Sequence, residues 1–187
     1  MSEPTPNQNG YRPSPIGEPQ RTFADGRWTV ILTRDLGHPV NRVWAALTEP
    51  GQLRRWAPFT TDRDLAAPGE VVLTMLDGPE DAAVELPGAV LAAEPPTLLV
   101  YRWGQDVLRW ELTSTGDGTT LVLRHSLADE GMSSAVAAGW HLCLDVLDAD
   151  LNGTPFGPVV GRRAQDYGWA DLNQRYAEKL GVKPSFS

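Results

Sequence analysis

Two periodicities divide this chain. Between residues 27 and 127 apolar side chains return mostly at every second position, as strands with one buried face require. Between residues 135 and 152 they return at helical spacing and crowd two faces at once. The run 28–34 predicts a first strand, broken by Gly37-His38-Pro39. Pro39 then suits the first turn of a helix that aligns Val40, Val43, Trp44 and Leu47 on one face. Thr48-Glu49-Pro50-Gly51 ends that helix and opens a second short one through Leu53 and Trp56, forming a two-helix wedge.

Strands are expected at 70–76 and at 83–93, with an acidic turn at 77–81 between them and an interruption at Pro87-Gly88. After the break at Glu94-Pro95-Pro96 come strands at 98–103, 107–113 and 119–127, joined by Gly104-Gln105-Asp106 and Gly116-Asp117-Gly118. Such short connections demand antiparallel neighbours. Their alternation has a direction. Leu99, Tyr101, Trp103, Leu108, Trp110, Leu112, Leu121, Leu123 and His125 share one face, and Arg102, Arg109, Glu111, Thr113, Thr120 and Arg124 the other.

The helix at 135–152 places Val136, Trp140, Cys143, Leu144, Leu147 and Leu151 on one side and Leu142, Val146 and Ala149 on another. Only the strip His141, Asp145, Asp148 and Asn152 is left for water. A helix that must be covered twice predicts an α+β fold: a curved antiparallel sheet of six to seven strands wrapped around it, with a helical extension packed behind. Trp169, Leu172, Tyr176 and Leu180 form the stripe of that extension, closed by Gly181. The expected divisions are a disordered or loosely packed arm over 1–22, a domain over 23–153 and an extension over 154–187 packed on the same domain.

Composition narrows the function classes. The net charge of -8 removes the concentrated basic field that nucleic acid or an anionic membrane requires. A single cysteine, Cys143, forms neither an internal disulfide nor a multi-cysteine metal cage. The first residues lack a basic and apolar leader, and no apolar run is long enough to span a bilayer, so a cytoplasmic location is expected.

Several local motifs carry a resemblance. Val43-Trp44-Ala45-Ala46-Leu47-Thr48, Leu53-Arg54-Arg55-Trp56, Gly88-Ala89-Val90, Glu94-Pro95-Pro96, Tyr101-Arg102-Trp103 and Gly139-Trp140-His141 resemble the activator of heat-shock protein 90 ATPase homologue family. That family belongs to the SRPBCC superfamily of START and Bet v 1-like proteins. The resemblance spans roughly residues 27–153. It implies the helix-grip fold and a cavity between sheet and long helix that takes small, mostly apolar molecules, with polyketide cyclases among its relatives.

On that fold the expected ligand-binding wall is Trp56, Tyr101, Trp103, Trp110, His125, Trp140 and Leu144, whose indoles combine apolar area with hydrogen-bond donors. His125, at the end of an inward strand face, is the only catalytic candidate. His141, Asp145 and Asp148 stand at metal-ligand spacing on the strip expected to be solvated, where no helper helix completes a site, so no metal is assigned. Asp150 is expected to pair with Arg162 or Arg163. The sequence carries no nucleophile elbow, phosphate loop or zinc-protease motif. The function expected is binding of a small hydrophobic or aromatic molecule, without a cofactor. A cyclase or hydrolase using the same cavity and a chaperone-interacting module are the alternatives, and contact with a chaperone or a second copy stays open.

Overall fold

A computed structural model describes residues 10–77 and 84–186. Its elements run β1 (Gln20–Ala24), β2 (Arg27–Leu36), α1 (Val40–Thr48), α2 (Pro50–Trp56), β3 (Phe59–Thr61), β4 (Gly69–Met75), β5 (Glu85–Glu94), β6 (Leu98–Trp103), β7 (Asp106–Thr115), β8 (Gly118–Leu127), α3 (Ser133–Leu151), α4 (Gly161–Asp166) and α5 (Trp169–Leu180). The strands form one antiparallel sheet in the order β1-β2-β8-β7-β6-β5-β4-β3. The wedge of α1 and α2 therefore links β2, next to one edge of the sheet, to β3 at the opposite edge.

Turn chemistry sets the register of the central hairpins. Gly104 and Gly116 each take the first place of a two-residue loop with φ of 59° and 64°, where other residues are strained. Leu99 lies opposite Trp110, and Trp110 opposite Leu123. The predicted inner face is accordingly buried, with Leu99, Leu108, Leu121 and Leu123 fully closed off. On the outer face Glu111 accepts from Arg109 at 2.7 Å and Arg124 at 3.1 Å.

The sheet has eight strands among the described residues, more than the six to seven expected. The two additional ones are β1 and β3. β1 takes residues 20–22 out of the expected loose arm, pairing Gln20–Ala24 with β2 although almost none of its side chains is buried. Backbone pairing holds it, helped by Arg21 lying 3.7 Å over the Trp28 ring. β5 also runs unbroken through Pro87-Gly88. Gly88 makes this possible, because a Cβ there would lie 2.3 Å from Leu73 Cδ1 and 2.6 Å from the Arg102 carbonyl oxygen. Most of the acidic turn expected at 77–81, and the first nine residues of the arm, lie outside the described residues.

α3 is buried nearly all round. One side packs on the sheet and α2, and the other on α5, whose Leu172 and Tyr176 are buried and whose end is closed by Gly181 at φ 65°. The expected second layer over the long helix is thus α5, preceded by the short α4.

Candidate functional site

Val136, Gly139, Trp140 and Cys143 recur along α3 at i, i+3, i+4 and i+7, and so line one stripe. Beside that stripe lies a cleft of about 560 Å³. Its sheet side is Met75, Trp103 and His125. Its third side is the C-terminal extension, through Val159, Val160, Ala164, Trp169 and Phe186, and Asp77 and Gln165 border it where the surface is exposed. Gly139 keeps the volume empty: a Cβ built there would meet nothing within 4 Å. Glycine in mid-helix costs roughly 0.5–1 kcal/mol relative to alanine, so this position gives up helix stability for space.

Three of the seven expected wall residues meet at the cleft: Trp103, His125 and Trp140. Trp56, Tyr101 and Trp110 lie behind it as packed core, each at most 2% exposed. The indole of Trp110 stands edge-on to Trp140 at 5.2 Å and to Trp56 at 6.1 Å, and these rings fill the gap between sheet and helix. Trp56 Nε1 donates to the Ala46 carbonyl at 2.9 Å, and Trp110 Nε1 to the Tyr101 hydroxyl at 3.2 Å, so both polar tips are spent within the core. Leu144 sits roughly 90° around α3 from the cleft stripe and faces a small recess with Leu32, Arg34 and Tyr176. The hollow therefore occupies one flank of the interlayer space, not its centre. The residues missing from the expected wall are Val136, Gly139 and Cys143 on α3, and those of the extension. Gly139 carried a readable signal, as an isolated glycine within an otherwise apolar helix.

His125 is held on both ring nitrogens. Trp140 Nε1 donates to His125 Nδ1 at 2.9 Å, which makes Nδ1 the bare nitrogen. Nε2 then carries the proton and donates to Asp106 Oδ2 at 2.8 Å. Asp106 Oδ1 accepts from the Ala128 N–H at 2.7 Å. Burial pushes the Asp106 carboxyl up, but the hydrogen bonds from His125 and Ala128 outweigh it and keep the pKa below its ordinary value. The imidazole is thus an orienting element of the wall, with no free nitrogen to exchange a proton with a bound molecule. Cys143 is also quiet: burial, with Asp145 nearby, pushes its thiol up to about 12.

The strip of α3 expected to face water is largely covered. His141 is 1% exposed and the Asp145 side chain 7%. Asp145 accepts from the Tyr11 hydroxyl at 2.5 Å, the Ser14 N–H at 3.0 Å and the Ser14 hydroxyl at 2.6 Å, and pairs with Arg34 at 3.0 Å. Tyr176 of α5 meets His141 Nδ1 at 2.9 Å. The N-terminal arm and β2 thus close over a charged face that helical geometry alone assigns to solvent. Asp150 pairs with Arg55 of α2 at 2.6 Å, and not with Arg162 or Arg163; Arg163 instead donates to the Phe156 and Pro158 carbonyls. Among the described residues no group of three His, Cys, Asp or Glu is placed to hold a metal ion, and no helix is long and apolar enough to cross a membrane.

Residues 37–152 match the family described as Activator of Hsp90 ATPase homolog 1-like protein, and the chain belongs to that family. A search of curated proteins finds no match. Among solved structures the fold is similar to CalU16 from Micromonospora echinospora, with TM-score 0.63 and 22% identity over 86% of this chain and 94% of that one. It is also similar to EF2215 from Enterococcus faecalis, a conserved protein of unknown function, with TM-score 0.67 and 15% identity over 88% and 91%. DynU16, a putative protein in the dynemicin biosynthetic locus, matches with TM-score 0.59 and 22% identity over 68% of this chain and 48% of that one. The α+β helix-grip architecture is common to them. The family region ends at residue 152, so the third side of the cleft comes from residues beyond it.

Proposed function

We propose that the protein binds a small apolar or aromatic molecule in the cleft between α3, the β6–β8 side of the sheet and the C-terminal extension. The observation that carries this reading is the cleft at Gly139: a 560 Å³ space walled by the indoles of Trp103, Trp140 and Trp169, over the one position of that stripe where α3 lacks a side chain. Small-molecule sites fall at roughly 300–1,000 Å³ and combine apolar walls with few polar groups, as here. The absence of a free nitrogen on His125 favours holding a ligand over transforming it. The three indoles of the wall make polycyclic aromatic molecules a sensible first panel.

Trp103 and Trp140 supply their own reporter. Titrating neutral polycyclic aromatics should change tryptophan emission and raise Tm in step with occupancy. Silence in both readouts across apolar ligands small enough for the cleft would remove the proposal.

A further inference from the structure

We propose that the cleft selects for neutral and cationic aromatic molecules and rejects anionic ones, with Asp77 as the selecting residue. This rests on the binding reading above and adds the chemical class of the ligand.

Among the described residues the cleft lining contains no lysine or arginine. Asp77, exposed at the border, is its only acidic or basic side chain apart from His125. His125 accepts a hydrogen bond on Nδ1 from Trp140, and its Nε2 is already engaged with Asp106. A carboxylate or phosphate entering here would lose its hydration with no cation to replace it, and the unpartnered Trp103 Nε1–H is a neutral donor that does not offset a full negative charge. An ammonium group would meet the Asp77 carboxylate at the border and the negative faces of the indoles within, both attractive. The net charge of -8 on the whole chain acts in the same direction at longer range.

The test uses three probes of one shape at pH 7 and low salt: 2-naphthylmethanol, 2-naphthylmethylamine and 2-naphthoate, titrated into the full chain by tryptophan fluorescence and calorimetry. The expected order is amine tightest, by roughly tenfold over the alcohol, with naphthoate weaker than the alcohol by at least as much. In Asp77→Asn the advantage of the amine over the alcohol should disappear. Equal affinities for all three probes, or naphthoate tightest, would overturn the charge selection and leave the binding reading standing. An amine preference that survives Asp77→Asn would remove Asp77 as its source. Failure of the alcohol and the amine alike to bind would bring down the binding reading itself.

Discussion

Trp140 on α3 donates its indole N–H to Nδ1 of His125 on β8 at 2.9 Å, so a helix residue sets the tautomer of a strand residue across the interlayer space. Asp106 completes the chain from the other side, at 2.8 Å from Nε2. Both ring nitrogens of His125 are therefore engaged within the wall of the cleft.

Removing Asp106 should expose the energetic side of this arrangement. Asp106→Ala leaves the buried Nε2–H of His125 and the Ala128 N–H without their acceptor, at an expected cost of about 1–3 kcal/mol at pH 7. Since the folded-state pKa of Asp106 is depressed, its contribution is fully present above the unfolded carboxylate value, near 3.9, and fades as pH falls through the lower folded value. Urea denaturation at pH 7 and at pH 3 should show a smaller gap between the variant and the natural protein at the lower pH. A gap that widens in acid would contradict the assignment.

Gly139 separates stability from binding. Gly139→Ala meets no atom within 4 Å and replaces a mid-helix glycine, so it should stabilise by about 0.5–1 kcal/mol and leave most of the cleft open. Gly139→Leu should keep the fold and occupy the space, lowering affinity for a neutral aromatic by at least about tenfold, since a displaced ligand loses its apolar burial. Thermal melts read the first effect and fluorescence titration the second. Unchanged binding in Gly139→Leu would place the ligand elsewhere.

The sheet was legible where the period-two pattern met two-residue turns: the faces from Leu99 to His125 and the loops at Gly104 and Gly116 stand as the sequence predicts. β1 escaped because it buries almost nothing, so no pattern marks it. The expected break at Pro87-Gly88 failed because Gly88 there answers to a close approach by Leu73 and Arg102, which sequence cannot display. At the site, periodicity identified the inward side chains but could not say which of them fill the core and which leave a gap. That depends on ring volumes, and Trp56 and Trp110 consume the centre. The strip at His141 and Asp145 read as solvated because a helical wheel carries no information about a cover drawn from more than a hundred residues away.

That cover makes Asp145 the anchor of the N-terminal arm. Burial pushes its carboxyl up, and His141, Arg34 and Ser14 together outweigh this and hold it far below the usual range. Asp145→Ala leaves the mostly buried Arg34 without its carboxylate, with an expected loss of about 3–5 kcal/mol. It also releases the bonds from Tyr11 and Ser14, so chymotrypsin should cut after Tyr11 faster than in the natural protein under native conditions. Equal cleavage rates in the two proteins would show that the arm is held by other contacts. Because the folded pKa is depressed, the contribution of Asp145 should persist through mildly acidic pH and be lost only well below pH 4.

Gly88 ties the packing of the sheet to the cleft. It lies opposite Trp103 in the β5–β6 register, and the carbonyl that an added methyl would strike belongs to Arg102, the residue before that tryptophan. Leu73 Cδ1 can rotate away, but a backbone oxygen at 2.6 Å moves only if β6 shifts. Gly88→Ala should therefore destabilise by about 1–3 kcal/mol, and it should displace Trp103 along with the strand. Two readouts distinguish this from simple core damage: denaturation for the stability loss, and naphthylmethanol titration for the cleft. Loss of stability with unaltered affinity would show that β6 absorbs the methyl without moving the Trp103 side of the site.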